Sequence, residues 1–319
     1  MRAMVTPEFG GPELFEQRDV ERPQPGPGEV LVRVFACGTN PVDAKLRAGD
    51  IPGAVEPPVV LGADASGIVE EVGAGVTDLS VGDEVYYTPE LFGPTANGSY
   101  AEYNAVPAAI VAPKPPSLTH EEAAAVPLAG GTAWEAIVRR LGVVPGETVL
   151  IHGGAGGVGS FAVQIAKAAG ARVLATAGSS NQETLHKLGA DLCLDYSSDD
   201  VAGAAAAENS GEGVDAVFDT VGGQVEEATG YTRSFGRIAT ILPPQGDLTQ
   251  LYLKNQTLYG VFLTRERRRL VELARLMERG QVKPLVDEVL DLSEIGKAHE
   301  RLDSGHGRGK IVLRVSSGS

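Results

Sequence analysis

Cysteine is scarce in this chain. Its 319 residues include only Cys37 and Cys193, too few for a disulfide framework or a thiolate-rich metal cluster, which fits a reducing cytoplasm. Long hydrophobic runs are missing as well. The most apolar helical stretch, near Phe161 to Ala175, carries Lys167 and Arg172, and the opening Met1 to Pro7 lacks an apolar signal segment, so neither membrane insertion nor secretion is expected. Positive charge is in short supply: 27 Lys and Arg stand against 42 Asp and Glu, a net charge of −15. That balance excludes a general nucleic-acid binder, which needs a basic face to neutralise phosphates. Lysine is the rarer base, 8 against 19 Arg, a bias that a salt-rich cytoplasm and a GC-rich genome explain equally well. What is present, 43% hydrophobic and 22% charged residues, is ordinary globular composition, and the length suits two domains with real cores.

Two rhythms divide the chain. Up to about Lys114 short strands are punctuated by Gly and Pro: Glu29 to Ala36 alternates apolar and polar residues, Ser66 to Val72 does so less strictly, and Gly82 to Tyr87 begins another run. A mainly β, partly barrel-like domain follows from that. Thr119-His120-Glu121-Glu122 is a capping-box signature opening an alanine-rich helix, Pro127 interrupts it, and a second helix runs from about Ala133 to Gly142. From Thr148 onward strands alternate with helices. Thr148 to Gly153, Arg172 to Ala177, Asp191 to Tyr196, Ala216 to Val221, Arg237 to Leu242 and Thr257 to Leu263 predict an α/β architecture, a doubly wound parallel sheet covered on both faces. A helix over Arg265 to Arg279 follows, and a last strand, Gly309 to Val315, is expected to return to the first domain.

Between the first of those six strands and an amphipathic helix stands Gly154-Ala155-Gly156-Gly157-Val158-Gly159. This is G-x-G-x-x-G in the setting that a dinucleotide requires. Gly154 is expected to permit the tight turn, Gly156 to let a pyrophosphate approach the backbone, and Gly159 to let helix pack on strand, with the helix N-terminus supplying amides and positive dipole. An NAD site would place Asp or Glu at the end of the second strand, where Ala177-Gly178-Ser179-Ser180-Asn181 stands instead. The nearest acid, Glu183, lies beyond the turn. Donors at Ser179, Ser180 and Asn181 suit a 2′-phosphate, so NADP(H) is favoured and NADH is the less favoured alternative, although no Lys or Arg sits in the turn.

The chain resembles, over nearly its whole length, the medium-chain dehydrogenase/reductase superfamily in its zinc-free quinone oxidoreductase branch. The stretches that carry the likeness are Cys37 to Asp43, Gly62 to Val69, Gly82 to Val85, Gly131 to Trp134, Ala155 to Gly159, Phe218 to Gly223 and His306 to Leu313. The resemblance implies a Rossmann domain over 125–263 and an N-terminal GroES-like catalytic domain over 1–124, completed by about 264–319. It places Asn40 and Ala63 at the Cys and His positions that hold the catalytic zinc in the family's alcohol dehydrogenases. Three ligands and an open site cannot be assembled there, so no metal is expected.

Without that Lewis acid, oxidation of a secondary alcohol loses its activation, whereas hydride transfer to a quinone or a conjugated enone spreads the incoming charge onto oxygen. The resemblance therefore implies NADPH-dependent reduction of such acceptors, with Asn40, Asp43, Lys45 and Thr132 as the catalytic-side residues. Lys45 would hydrogen-bond the developing oxyanion or, on the bland reading, pair with Asp43. Tyr196, Val221, Gly222, Phe262, Leu263 and Lys310 are implied at the cofactor. The tyrosine acid of enoyl-thioester reductases is absent from Leu46 to Gly53, which leaves the proton donor open. Family members commonly dimerise through the last strand of the cofactor sheet. Three other readings stay open: an enoyl or alkenal reductase, a non-catalytic NADPH-binding protein of crystallin or sensor type, and a zinc dehydrogenase with unusual ligands.

Overall fold

The strands of the first half form because β-branched and small apolar residues alternate with turn glycines. The computed structural model describes residues 1–93 and 96–315 and contains β1 (Arg2–Thr6), β2 (Glu16–Asp19), β3 (Glu29–Gly38), β4 (Val59–Val60), β5 (Ala65–Val72), β6 (Glu84–Tyr87), β7 (Tyr103–Pro107) and β8 (Ala112–Pro113) in this half. Alternation in β3 predicts one wet face, yet nearly every side chain of this strand is buried. The reason is its position: β5, β7 and a strand from the end of the chain all pair with it, antiparallel.

Beyond residue 147 come β9 (Thr148–His152), β10 (Arg172–Ala177), β11 (Leu192–Asp195), β12 (Val214–Asp219), β13 (Thr232–Thr240) and β14 (Thr257–Gly260), then β15 (Val286–Asp291) and β16 (Lys310–Arg314). The middle six make one parallel sheet in the order β11-β10-β9-β12-β13-β14, the doubly wound Rossmann arrangement. β16 pairs β3 and β15, so the end of the chain closes the first sheet as expected.

The chain divides into two compact units. Unit 1 comprises Met1–Leu128, Thr264–Glu278 and Pro284–Ser319, and unit 2 comprises Ala129–Leu263 and Arg279–Lys283. Unit 1 is built on a core of Val30, Val32, Val34, Leu61, Val69, Val85 and Leu313. Unit 2 packs Leu150, Leu174, Val217 and Ile238 beneath its helices.

Several local details differ from the sequence reading. Thr119 and Glu122 form the capping box, but Pro127 opens the next helix, Pro127–Trp134, because proline lacks only an N–H that a first helical turn leaves unused. That helix runs on in wider turns over Glu135–Arg140 and stops before Gly142, which has φ of 57°. β12 ends at Asp219, two residues early, because the Asp219 carboxylate accepts the N–H groups of Val221, Gly222 and Gln224 and folds the chain into a turn. No helix among the described residues is long and apolar enough to cross a membrane.

Candidate active site

Unit 2 carries the glycine loop. The tight turn falls at Gly153, with φ of 71°, rather than at Gly154. A side chain on Gly154 would instead strike Leu185 and the Cβ of Ala175, at 2.8 and 2.9 Å, so its role is close packing. A Cβ on Gly159 would lie 2.1 Å from the Gly153 carbonyl oxygen, which fixes why helix Gly157–Ala168 needs glycine to sit on its strand. Gly156 differs from both. Its Cβ would meet only the Gly153 oxygen, at 3.3 Å, so the space there is free for a ligand. Gly157, Val158 and Gly159 form the first turn, whose N–H groups have no intrahelical acceptors and carry the positive end of a 12-residue helix dipole.

Around that loop the implied cofactor residues gather. After β10, Ser179 and Ser180 are exposed and Asn181 half-buried in a single 3₁₀ turn, none with its side chain in a hydrogen bond among the described residues. Glu183 is held away by Lys187 at 2.7 Å. Tyr196 closes β11, largely exposed, with its hydroxyl 3.4 Å from where a Cβ on Gly178 would be, so the ring borders this turn. Thr220 donates to the His152 carbonyl at 2.6 Å, and the Val221 side chain lies where a Cβ on Gly153 would strike it, which pins the Val221-Gly222 turn beside the glycine loop. Phe262 and Leu263 lie past the end of β14, Phe262 being 75% exposed. Thr132 is buried in helix Pro127–Trp134.

Unit 1 carries a buried polar cluster at the entry to helix Pro41–Ala48. Asn40 is the residue before that helix, and its N–H donates to Asp43 Oδ2 at 2.9 Å. Its side-chain amide turns elsewhere: Nδ2 donates to Asp64 Oδ2 at 2.9 Å and Oδ1 accepts from Lys310 Nζ. Lys310 also donates to the Thr39 carbonyl at 2.7 Å and to Asp64 Oδ2 at 3.1 Å, while Asp64 Oδ1 accepts the Leu128 N–H at 2.7 Å. Asn40, Asp64 and Lys310 are all buried. The ammonium thus has its three protons engaged inside unit 1, which departs from the cofactor contact that the resemblance implies for Lys310.

Asp43 is wholly buried and accepts the Tyr100 hydroxyl at 3.1 Å, and Tyr100 in turn meets His299 Nε2 at 3.3 Å. Burial, reinforced by the nearby Asp64 charge, raises the Asp43 carboxyl to about 7. Burial, with Arg47 nearby, lowers His299 to about 3, so the ring is neutral. Lys45, two residues along the same helix and so on another face of it, is exposed and forms no ion pair with Asp43. Cys37 is a buried thiol whose ionisation is pushed well up by burial and by Asp43 and Asp64. Sequence reasoning left Asp64 without a role and missed Tyr100 and His299 altogether, because nothing local marks partners 57 and 199 residues apart.

Zinc does not fit this cluster. Ala63 offers no ligand atom, the acceptors of Asn40 and Asp64 face an ammonium, and among the described residues no group of three or more His, Cys, Asp or Glu could hold a metal ion.

Two family models match, the alcohol dehydrogenase GroES-like domain over residues 26–116 and a zinc-binding dehydrogenase domain over 188–313. NADPH-dependent alkenal/one oxidoreductase of Arabidopsis thaliana is 34% identical across 98% of this chain and 79% of its own length. Quinone oxidoreductase of Pseudomonas aeruginosa is 34% identical across 96% of this chain and 97% of its own. The chain belongs to the medium-chain dehydrogenase/reductase superfamily, in its zinc-free quinone oxidoreductase branch. Among solved structures, a mycobacterial protein complexed with NADPH superposes with a TM-score of 0.88 at 33% identity, over 99% of this chain and all of that one. As a member of this branch the protein is an oxidoreductase enzyme with a nicotinamide cofactor and a small-molecule substrate.

Proposed function

We propose that the protein reduces quinones and related electron-poor enones with NADPH, without a metal. The observation that carries this reading is the substitution of Asn40, Ala63 and an internal ammonium for a metal-binding set in a chain that also has an intact glycine loop. In it unit 2 holds the nucleotide. The first-turn N–H groups from Gly157 onward meet the pyrophosphate, Gly156 leaves room for it, and Ser179, Ser180 and Asn181 donate to the 2′-phosphate. When bound, the dihydronicotinamide supplies a hydride, leaving the acceptor oxygen negatively charged.

Within unit 1, two groups have the chemistry to stabilise such an oxygen. Lys45, exposed and in no ion pair among the described residues, offers an ammonium, and Asn40 has a second amide proton beyond the one given to Asp64. A proton from solvent, through Lys45 Nζ, completes the hydroquinone or the saturated ketone. Thr132 is assigned to the nicotinamide side, with Phe262 and Leu263 at the carboxamide and Tyr196 along the adenosine. A reducing cytoplasm belongs to the same reading, and the two free thiols suit it.

The reading includes a homodimer. Among the described residues β14 ends the parallel sheet with one edge unpaired, and Phe235, Tyr252, Leu253 and Phe262 are strongly exposed in the neighbouring segments. A second copy continuing the sheet would cover that edge. The test is steady-state NADPH oxidation with 1,4-naphthoquinone and 3-buten-2-one, together with the molar mass in solution by light scattering. Turnover by a particle of twice the chain mass is the outcome this reading requires. NADPH binding without turnover of any acceptor would favour the non-catalytic alternative.

A further inference from the structure

We infer that Lys310 is a built-in cation that sets the orientation of the Asn40 amide, and is thereby a positioning residue for hydride transfer rather than a contact of the cofactor. The inference rests on the reading in which Asn40 faces the acceptor oxygen.

A side-chain amide has two nearly isosteric ends, and only its hydrogen-bond partners decide which end points where. Here the decision is forced. Asn40 Oδ1 meets an ammonium, which can only donate, and Nδ2 meets an Asp64 oxygen, which accepts. Flipping the amide would set its N–H groups against an ammonium proton and its oxygen against a carboxylate. Both contacts would turn repulsive inside a buried cluster where charges are poorly screened. With Oδ1 held inward, the group left to offer outward is the second Nδ2 proton, a donor. An acceptor oxygen that gains charge needs a donor there.

The lysine cannot carry out this role and also serve a phosphate or ribose. Its three protons have three acceptors, Thr39 O, Asn40 Oδ1 and Asp64 Oδ2, all within unit 1. Asp64 anchors the arrangement by its other oxygen on the Leu128 N–H, and Asp43 fixes the Asn40 main chain through the N–H. Neutral residues at both 310 and 64 would leave the Asn40 amide free to present either end.

The test compares Asn40→Ala, Lys310→Met, the pair Lys310→Met/Asp64→Asn, and that pair with Asn40→Ala added. Lys310→Met alone strands a buried carboxylate and can fail to fold, whereas the pair removes both charges and keeps an acceptor for the Leu128 N–H. NADPH binding is read by its fluorescence, and kcat and KM with 1,4-naphthoquinone. The expected result for the pair is an NADPH Kd within about twofold of wild type and a kcat lower by at least about tenfold. Adding Asn40→Ala should cause no further loss, since both changes remove one effect. A weakened NADPH Kd with unchanged kcat would return Lys310 to the cofactor and overturn the inference. So would a full kcat in the pair, or a loss that adds to that of Asn40→Ala. Full activity in Asn40→Ala alone would overturn the underlying reading of Asn40 as well.

Discussion

The nucleotide loop of unit 2 and the polar cluster of unit 1 solve opposite problems. The loop is made of absent side chains: Gly154 and Gly159 let strand and helix close on each other, and Gly156 keeps a space open. The cluster is made of side chains that leave almost no space, with Asn40, Asp64 and Lys310 buried and bonded to one another. A phosphate can be bound by backbone N–H groups common to all residues, so the loop needs room more than chemistry. In the proposed reading an oxygen that becomes charged must meet a donor of fixed direction, so the cluster needs chemistry held rigid. A loop of this kind tolerates change until a Cβ intrudes. The cluster responds to a single proton.

The largest expected effects come from glycines where backbone meets backbone. Gly159→Val would put a Cβ 2.1 Å from the Gly153 oxygen, so a destabilisation of about 1–3 kcal/mol with loss of NADPH binding is expected in thermal melts and titration calorimetry. Gly156→Val should abolish binding at a smaller cost in melting temperature than Gly159→Val, because its Cβ meets only the Gly153 oxygen, at 3.3 Å rather than 2.1 Å. If Gly156→Val binds NADPH normally, the loop does not hold the pyrophosphate.

Gly38→Ala is the matching break in unit 1. Its Cβ would lie 2.4 Å from the Ala124 oxygen and 3.0 Å from Asp64 Oδ2, so turnover should fall while NADPH affinity stays within about twofold, with a loss of about 1–3 kcal/mol in stability. Loss of NADPH affinity instead would erase the contrast between the two sites.

A smaller effect sharpens the electrostatic side. Asp43 holds its proton up to about 7 in the fold but releases it near 3.8 when unfolded, so the native state binds that proton more tightly. The stability it contributes is present below about pH 4 and is lost as pH rises toward 7. Asp43→Asn keeps an acceptor for the Asn40 N–H and removes the titration. Its melting temperature should vary less than that of wild type between pH 4 and 8, by a few degrees. Parallel pH profiles for the two proteins would show that Asp43 does not titrate in that range.

The smallest change concerns the ribose turn. Ser179→Asp should move the ratio of kcat/KM for NADPH over NADH by about tenfold toward NADH, because a carboxylate repels the 2′-phosphate and accepts from a 2′-hydroxyl. The wild-type preference itself should be moderate, since uncharged donors hold phosphate less strongly than arginine. An unchanged ratio would mean that Ser179 does not face the ribose.

The contrast also explains how much could be read before the fold was known. Gly154 to Gly159 are consecutive, so their spacing is a local signature, and the six strands of the parallel sheet betray themselves by apolar runs between helices. Even there the turn residue is Gly153, one position earlier than expected, because consecutive glycines leave the kink unassigned until φ is known. The cluster has no local signature. Asp64 lies 24 residues from Asn40, and Lys310 lies 270 residues away on the strand that closes the first sheet. A chain pattern that shows Lys310 in a strand cannot show that the register of β16 on β3 carries its ammonium to Asn40.

The central claim, NADPH-linked reduction of quinones or enones without a metal, is tested most directly by one assay. Purified enzyme is dialysed against EDTA, its metal content is measured, and NADPH oxidation is followed with 1,4-naphthoquinone and 3-buten-2-one. Steady turnover of at least one acceptor, at a rate unaffected by chelation, is the result predicted here. Turnover that vanishes with EDTA and returns with zinc would contradict it.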